Sequence, residues 1–596
     1  MKILLLLILF LFLEYVHAQD LVILHTNDLH SHLNGLSPEA EYTPLEKDND
    51  VTLGGFSRIA GYIEQQKANY KQKLLVLDAG DFLMGTLFQQ IELEKGFQLN
   101  LMHKMGYDVV AIGNHEFDFG PESLAAIINK SKNNGAIPEL VCSNYLVSKN
   151  EHVFFNELFI NQTILPYKVV EKNGYRIGIF SVMGIDAMES IPAYHKVKFG
   201  NPIQAARKTA RLLKKDEAVD IVIALSHSGV VYGKNGHIEG EDVKMGKAVP
   251  DIDLIISGHS HSTLAVPVQA GNSLVVQTGT MGQNVGHIEI NFDNNRRPLF
   301  QYKLVEMNDN IKASKDIQQI IDSKVSLINQ HVLNNVGVGY YDIVAETSFD
   351  LVLNERKPFE SNLAPFVADA MYYQMNNASD IGSDVVMVAS GVIRNDIKKG
   401  TNGFLNINDI FNIMPLGVGN NNVQGNPLAK VYVTGHELKN VMELILSVRN
   451  SLPHYFVNFS GMQIKADLSK RPFKKIVEIS IGNGLSGYTP IDISRKSTQL
   501  VSVTSNTYMV SFIGKLKKMS LGLVNVVPKK PDGTIGNDAD FLIDLDSKKE
   551  GIQEAKEWLA IYSYIKSFSD LNNNDIPDIP HKYKDMRIQL IDVGEK

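Results

Sequence analysis

The chain is predicted to fold as an α/β protein in two units, and three observations carry that prediction. From Leu21 to about Val305, apolar strand-like runs alternate with helix-like stretches. Five of those runs end at once in residues that can hold a metal: LVILHTNDLH (21–30), LLVLDAGD (74–81), DVVAIGNHEFD (108–118), IVIALSHSG (221–229) and DLIISGHSH (253–261). Around Asn308–Leu333 the pattern turns helical and charged, and a second α/β alternation then runs from about Gly337 to Trp558.

The elements follow in order. Residues 1–18, MKILLLLILFLFLEYVHA, read as a secretory signal: Lys2, an apolar run, then Val16-His17-Ala18 as the small-residue cleavage end. The run Ile3–Leu13 is shorter than the roughly 20 residues a membrane span needs, and Glu14 follows it. No other stretch is apolar enough to cross a bilayer, so the mature chain is expected in the periplasm or outside the cell. Residues 19–307 form the first domain. Within it Asn34–Val51, with Pro38, Pro44 and many acids, is expected as a surface excursion. Pro202–Lys215 is expected as a helix, with Ile203, Ala206, Ala210 and Leu213 at helical spacing and the strand Ile221–Leu225 after it. Residues 308–336 are a linker helix, and 337–558 the second domain, with a helix at Ala364–Met375, a strand at Asp384–Ala389 and β-rich stretches at Lys430–Val433 and Lys475–Ile481. Residues 559–596 are a C-terminal extension. It contains DLNNNDIPD (570–578), which lacks the glycine and closing glutamate of a calcium loop and reads as a solvated turn.

Composition narrows the function. The net charge of -8 argues against binding a nucleic-acid polymer through its phosphates. The one cysteine, Cys142, cannot form an internal disulfide and is expected to be buried as a small hydrophobe. Length and composition leave the oligomeric state open.

The strand-end residues carry the chemistry. Asp28 and His30 stand two apart, so in an extended segment both point the same way. Asp81 follows a strand through Ala79-Gly80, and its two oxygens can bridge two ions. Asn114 and His115 follow the third run and His227 the fourth; His259 and His261 follow the fifth behind Gly258. Alone, each would be a cap, a turn or an ordinary histidine. Together they form a nitrogen and oxygen donor set without thiolate, suited to Zn, Mn, Fe or Co, and too large for one ion. Two ions roughly 3.5–4 Å apart make the clamp used in phosphoryl chemistry.

The segments HTNDLHSHL, DAGDF, GNHEFDFG, SHSG and SGHSH resemble the calcineurin-like metallophosphoesterases, and with the C-terminal unit the chain resembles the secreted 5′-nucleotidase family. The resemblance implies a four-layer α/β/β/α metallophosphoesterase sandwich followed by an α/β substrate-binding domain. It implies two divalent ions, one on Asp28, His30 and His261, the other on Asn114, His227 and His259, with Asp81 bridging. It implies a catalytic pair, His115 and Asp118, and hydrolysis of a nucleotide by metal-activated hydroxide without a phosphoenzyme. His25 and His32 flank the first ligands but are not expected to bind metal; His25 is expected to pack or to support the ligands from behind, and His103, His195 and His436 are expected as surface residues.

The second domain matches less closely. ESNLAPFVADAM (360–371), INDIFNIMPLG (407–417) and YFVNFSGMQIKAD (455–467) resemble family segments, and SGVIRNDI (390–397) resembles a glycine-rich segment whose arginine, here Arg394, contacts substrate. Val392 stands at a usual glycine. Leu416 stands where the family has half of an aromatic clamp around the base, and the motif bearing the other half is absent from SFIGKLKKMSLGLVNVVPKKPDG (511–533). Either other aromatics, such as Phe456 or Phe512, take over, or the substrate is not an ordinary nucleoside monophosphate. The expected substrate is a nucleoside 5′-monophosphate. Hydrolysis of UDP-sugars or cyclic nucleotides is the alternative within enzymes, and a secreted binding protein without turnover the alternative outside them.

Overall fold

The structure is a computed structural model that describes residues 20–148, 151–192, 195–233, 236–354, 357–421, 423–452, 455–484, 486–513, 516–517, 520–585 and 590–594. The signal segment lies outside the described residues.

Two sheets dominate the first unit. The first has seven strands in the order 298–306, 284–292, 21–26, 74–78, 109–111, 139–141, 164–165; the strands from 21–26 through 164–165 are parallel. The second has six, in the order 268–270, 273–276, 254–257, 221–227, 175–183, 167–172, and its four inner strands are parallel. Parallel strands buried on both faces read as unbroken apolar runs, and side-chain alternation divides each run between two cores. Leu21, Ile23, Leu75 and Leu77 point into a core shared with Ile177, Ile221, Ile223, Leu254 and Ile256 of the other sheet. Val22, Leu24, Leu74 and Val76 point the opposite way, into a helical layer with Phe56, Ile59 and Leu124. Val222, Ala224 and Ile255 pack on the other side against Ala206, Ala210 and Leu213. Three stacked cores make four layers, α/β/β/α. Each fully buried Leu, Ile or Val contributes about 1.5–3 kcal/mol.

The helix Pro202–Lys215 has the expected bounds. Asn201 caps it by accepting the N–H of Gln204 at 3.0 Å, and Pro202 occupies the first turn, where no N–H is needed. The linker helix is Lys315–His331, and it lies against the first unit: Ile317, Ile321, Val325 and Ile328 enter the first helical core.

That core runs on into the second unit through the helix Leu363–Asn376, Phe411 and Trp558. The second unit carries a sheet in the order 428–434, 500–506, 385–389, 457–460 and another in the order 487–490, 476–483, 462–466, 590–592. A core containing Val385, Leu438, Phe459 and Ile479 lies with them.

Three expectations need correction. The boundary at 558 cuts the helix Glu557–Ile565, and Leu590–Asp592 is a strand of the second unit, so the extension belongs to that unit. The loop 34–51 is not a free excursion: Glu39 and Glu41 are buried and Tyr42 is half-buried. Glu39 donates its N–H to Asp409 and accepts from Asn408, and Glu41 accepts the N–H groups of Thr401 and Asn402, so polar composition there serves a seam between units. His195 is half-buried, its ring against Gly120 and Asp118.

His436 is likewise half-buried, its Nδ1 3.3 Å from Ile493 O, whereas His103 is exposed as expected. Cys142 is buried and so is His25, and Asp570 folds 570–578 into a turn by accepting the N–H groups of Asn573, Asn574 and Asp575.

Candidate metal centre

All five strand ends open on one place. Asp28 and His30 follow the strand Leu21–Thr26, Asp81 follows Leu74–Asp78, and Asn114 follows Val109–Ala111. His227 ends the strand Ile221–His227, and His259 and His261 follow Leu254–Ser257. Donor atoms of Asp28, His30 and His261 lie within 4.8 Å of one another, as do those of Asp28, Asp81 and His227. Asn114 joins the second group to His259: its Oδ1 is 3.1 Å from His227 Nε2 and 3.0 Å from His259 Nδ1.

The backbone bends sharply to achieve this. Asp28, His30, Asp81, His259 and His261 have φ of 52°, 49°, 57°, 72° and 53°, the left-handed region that non-glycine residues avoid. Each such residue costs about 1–3 kcal/mol, and the surroundings must hold it there. Glu116 supplies much of that hold: it accepts the N–H groups of Asp81 (3.0 Å), Leu83 (2.9 Å) and Gly113 (2.6 Å). Asn27 accepts from Thr278 and donates to Gly279 O and Asp28 Oδ2. Gly113 has no alternative, since a Cβ there would run into the Asp81 carboxylate and backbone nitrogen.

The donor set fits divalent ions. His30 Nδ1 donates to Met84 O at 3.1 Å and His227 Nδ1 donates to Ala79 O at 2.9 Å, so both rings present an Nε2 lone pair inward. His30 Nε2 meets His261 Nε2 at 3.0 Å, and His227 Nε2 faces Asn114 Oδ1 and, at 3.1 Å, Asp81 Oδ2. The lone pair of His227 Nε2 thus points at acceptor oxygens, and Asp81 Oδ2 is a buried oxygen without a hydrogen bond of acceptable geometry. A cation among them removes that conflict. The protein's own charges show the same demand. Burial works against a charged His227, yet the Asp81 and Asp28 carboxylates draw its imidazole up to about 10. Burial holds His30 and His261 well below the usual range.

His115 and Asp118 stand beside this cluster. His115 Nδ1 is 2.8 Å from Asp118 Oδ2, and its backbone N–H donates to Asp81 Oδ1 at 2.8 Å. Its ring lies 5.2 Å from that of His30. Burial opposes protonation of His115, but Asp118 and Asp81 outweigh it and raise the imidazole above its ordinary value. Arg394, from the second unit, is close enough for its charge to depress His30, His115 and His261.

The other substrate-side residues fare differently. Leu416 is half-buried against the shared core. Phe456 is a correction: it is 8% exposed, inside the second unit's core, 6.0 Å from the Phe359 ring. Its neighbour Tyr455 is 38% exposed, and besides burial the charges of Asp186 and Glu189 raise its phenol, which places it facing the first unit. Alternation entering the strand Val457–Ser460 turns one of the two aromatics inward and the other outward. Sequence reasoning also missed Asp186, whose Oδ2 accepts from His259 Nε2 at 2.9 Å, and Glu116. Asp186 sits outside any strand-end motif, at the start of the helix Ile185–Ser190, and had no signal. Glu116 lay within GNHEFD and could have been read as a carboxylate facing backbone N–H groups.

Comparison with known proteins agrees with this geometry. Residues 21–263 match the calcineurin-like phosphoesterase family, and residues 339–508 match the 5′-nucleotidase C-terminal domain. A trifunctional nucleotide phosphoesterase of Bacillus subtilis is 26% identical over 492 residues, which are 78% of this chain and 30% of that protein, so the chain spans under a third of that relative's length. A snake venom 5′-nucleotidase of Gloydius brevicauda is 24% identical over 78% of this chain and 76% of that one. The crystal structure of a 5′-nucleotidase precursor from Thermus thermophilus superposes with a TM-score of 0.66 at 23% identity, covering 97% of this chain and all of that one, and shares the fold. The chain belongs to the family that joins a calcineurin-like phosphoesterase domain to a 5′-nucleotidase C-terminal domain, and it is a metal-dependent phosphoester hydrolase.

Proposed function

We propose that the protein is an exported 5′-nucleotidase that uses two divalent ions to convert nucleoside 5′-monophosphates to nucleoside and phosphate. Asp28, His30 and His261 would hold one ion, Asn114, His227 and His259 the other, with Asp81 shared. When bound, the ions supply Lewis acidity to a phosphoryl group and make water nucleophilic at neutral pH.

The chain's own residues do the rest. Asp118 holds the His115 Nδ1 proton, which fixes the ring and makes Nε2 the nitrogen that can carry a second proton. That proton can be held against a phosphoryl oxygen or passed to the departing ester oxygen. Arg394 adds a fixed positive charge from the second unit, suited to the phosphate's negative charge. The observation that carries the reading is this convergence: a histidine–aspartate pair and an arginine from two units face one cluster of metal donors. Export is supported by the signal-like N-terminus and by the venom origin of one relative.

The test is phosphate release by purified protein with Mn²⁺ or Co²⁺ from AMP, ATP, UDP-glucose, a cyclic nucleotide and bis(p-nitrophenyl) phosphate. AMP is expected to give the highest kcat/KM. Turnover of the diester without AMP hydrolysis overturns the monophosphatase reading. One observation favours that second reading, a phosphodiesterase for UDP-sugars or cyclic nucleotides: Leu416 stands where the family carries an aromatic base clamp. His115→Ala separates roles: kcat should fall about 10²–10⁴-fold with metal content kept. Loss of both ions would show His115 to be a ligand instead.

A further inference from the structure

The loop that carries Asp28 and His30 continues into Ser31 and His32. His32 is 2% exposed, although it belongs to no apolar run and is no candidate ligand. Its Nδ1 lies 2.9 Å from the backbone oxygen of His30. A carbonyl can only accept, so the proton is on Nδ1 and Nε2 presents a lone pair. That lone pair receives the amide Nδ2–H of Asn395 at 3.1 Å. The ring has little room to leave: a Cβ on Gly85 would run into His30 O and come within 3.2 Å of His32 Cε1.

Asn395 belongs to the second unit and directly follows Arg394. Arg394 is tied to its own unit by its backbone N–H, which donates to Ile413 O at 2.9 Å. Its segment is therefore held from both sides, by Ile413 within the unit and by His32 across the seam. Other bonds cross nearby, Gln89 Nε2 to Pro415 O at 3.2 Å and Gln424 Nε2 to Thr86 O at 3.1 Å. The bond to Asn395 differs from these in reaching the ligand loop itself, through the peptide of His30.

We propose that His32 and Asn395 form a strut that sets the position of Arg394 relative to the metal-ligand loop, so that both are positioning residues for the reaction. The inference rests on Arg394 contacting the phosphoryl group. A guanidinium at the end of a flexible side chain recognises phosphate through its place as well as its charge. The strut fixes the backbone from which that side chain starts, and it fixes it to the same peptide that orients His30.

The experiment compares Asn395→Ala, His32→Ala, the double variant, His32→Gln and Arg394→Ala in the full chain, with AMP as substrate. KM, kcat, bound metal and thermal midpoint are read for each. Losing one hydrogen bond between neutral groups in a buried place should raise KM about tenfold in Asn395→Ala and in His32→Ala, with metal content unchanged. The double variant should be no worse than either single one, because both remove the same contact. His32→Gln should recover to within about threefold, since a carboxamide can donate to His30 O and accept from Asn395. Additive losses, loss of metal that tracks the loss of activity, or equal damage from His32→Ala and His32→Gln would each overturn the strut. If Arg394→Ala raises KM and Asn395→Ala does not, the strut alone is wrong. If Arg394→Ala leaves KM unchanged, the reading of Arg394 falls and the strut with it.

Discussion

The strand ends of the first unit and the loops of the second that carry Arg394, Leu416 and Tyr455 are built in opposite ways. In the first, five donor residues sit in a strained left-handed backbone, and Glu116, Asn27 and three closely packed glycines, Gly80, Gly113 and Gly258, leave them no slack. In the second, Arg394 stands after a single helical turn, Leu416 is half-buried and Tyr455 is exposed. Donor positions in a metal site tolerate errors of a few tenths of an ångström, so its surroundings must be rigid. A surface that recognises a base by shape and stacking can exchange one aromatic for another. The difference fits the sequence reading, in which the metal-binding segments resemble the family closely and the substrate-side segments less so.

Asp81→Ala should damage the rigid region most. The carboxylate touches both donor groups, so its loss should release both ions and lower kcat/KM at least about 10³-fold. Metal analysis beside kinetics checks it. Retention of one equivalent of metal would show that Asp81 serves a single ion.

Asp186→Ala probes how far the rigidity extends. Asp186 fixes His259 from a solvent-exposed position, and removing such a partner of a metal-binding histidine costs about 10–100-fold in metal affinity or activity. A metal titration showing unchanged affinity would place the hold on His259 elsewhere, in its left-handed backbone.

Much of the first unit was legible in the sequence because its signals are local. An apolar run followed at once by Asp, Asn or His states both the strand and the direction in which the site lies. Residues whose role depends on what packs against them were not legible. Asp186, Asn395 and Tyr455 carry no periodicity and take their meaning from elements far away in the chain. Glu39 misled for the same reason: an acid in a polar, proline-containing loop reads as solvated, and only the seam with Asn408 and Asp409 buries it.

Glu39 gives the seam a pH dependence that the metal site does not need. Burial first, and the Asp409 carboxylate second, push its pKa from 4.5 up to about 8. Between those values the folded protein holds a proton that the unfolded chain has released. Stability from this group is therefore present below about pH 4.5 and lost as pH rises through about 8. A tenfold difference in proton affinity between the folded and unfolded chain is worth about 1.4 kcal/mol, so the loss should reach a few kcal/mol. Glu39→Gln should flatten that slope, and Asn408 can turn its otherwise unbonded Oδ1 toward the new amide. Chemical denaturation at pH 6 and pH 8.5 measures it; an unchanged slope would mean that Glu39 is ionised in the folded protein.

The smallest effect belongs to the substrate side. If Tyr455 supplies the stacking that Leu416 cannot, Tyr455→Ala should raise the KM for AMP about fivefold, the low end of roughly 1–3 kcal/mol for an aromatic against a base, because the ring is partly exposed. Leu416→Phe should lower it by a similar factor, returning a second face to the clamp. Neither change should move kcat or metal content, since neither residue is a candidate metal ligand or part of the His115–Asp118 pair. A fall in kcat for Leu416→Phe would mean that a larger side chain beside Pro415 disturbs the seam at Gln89, and the two regions would then be less independent than their construction suggests.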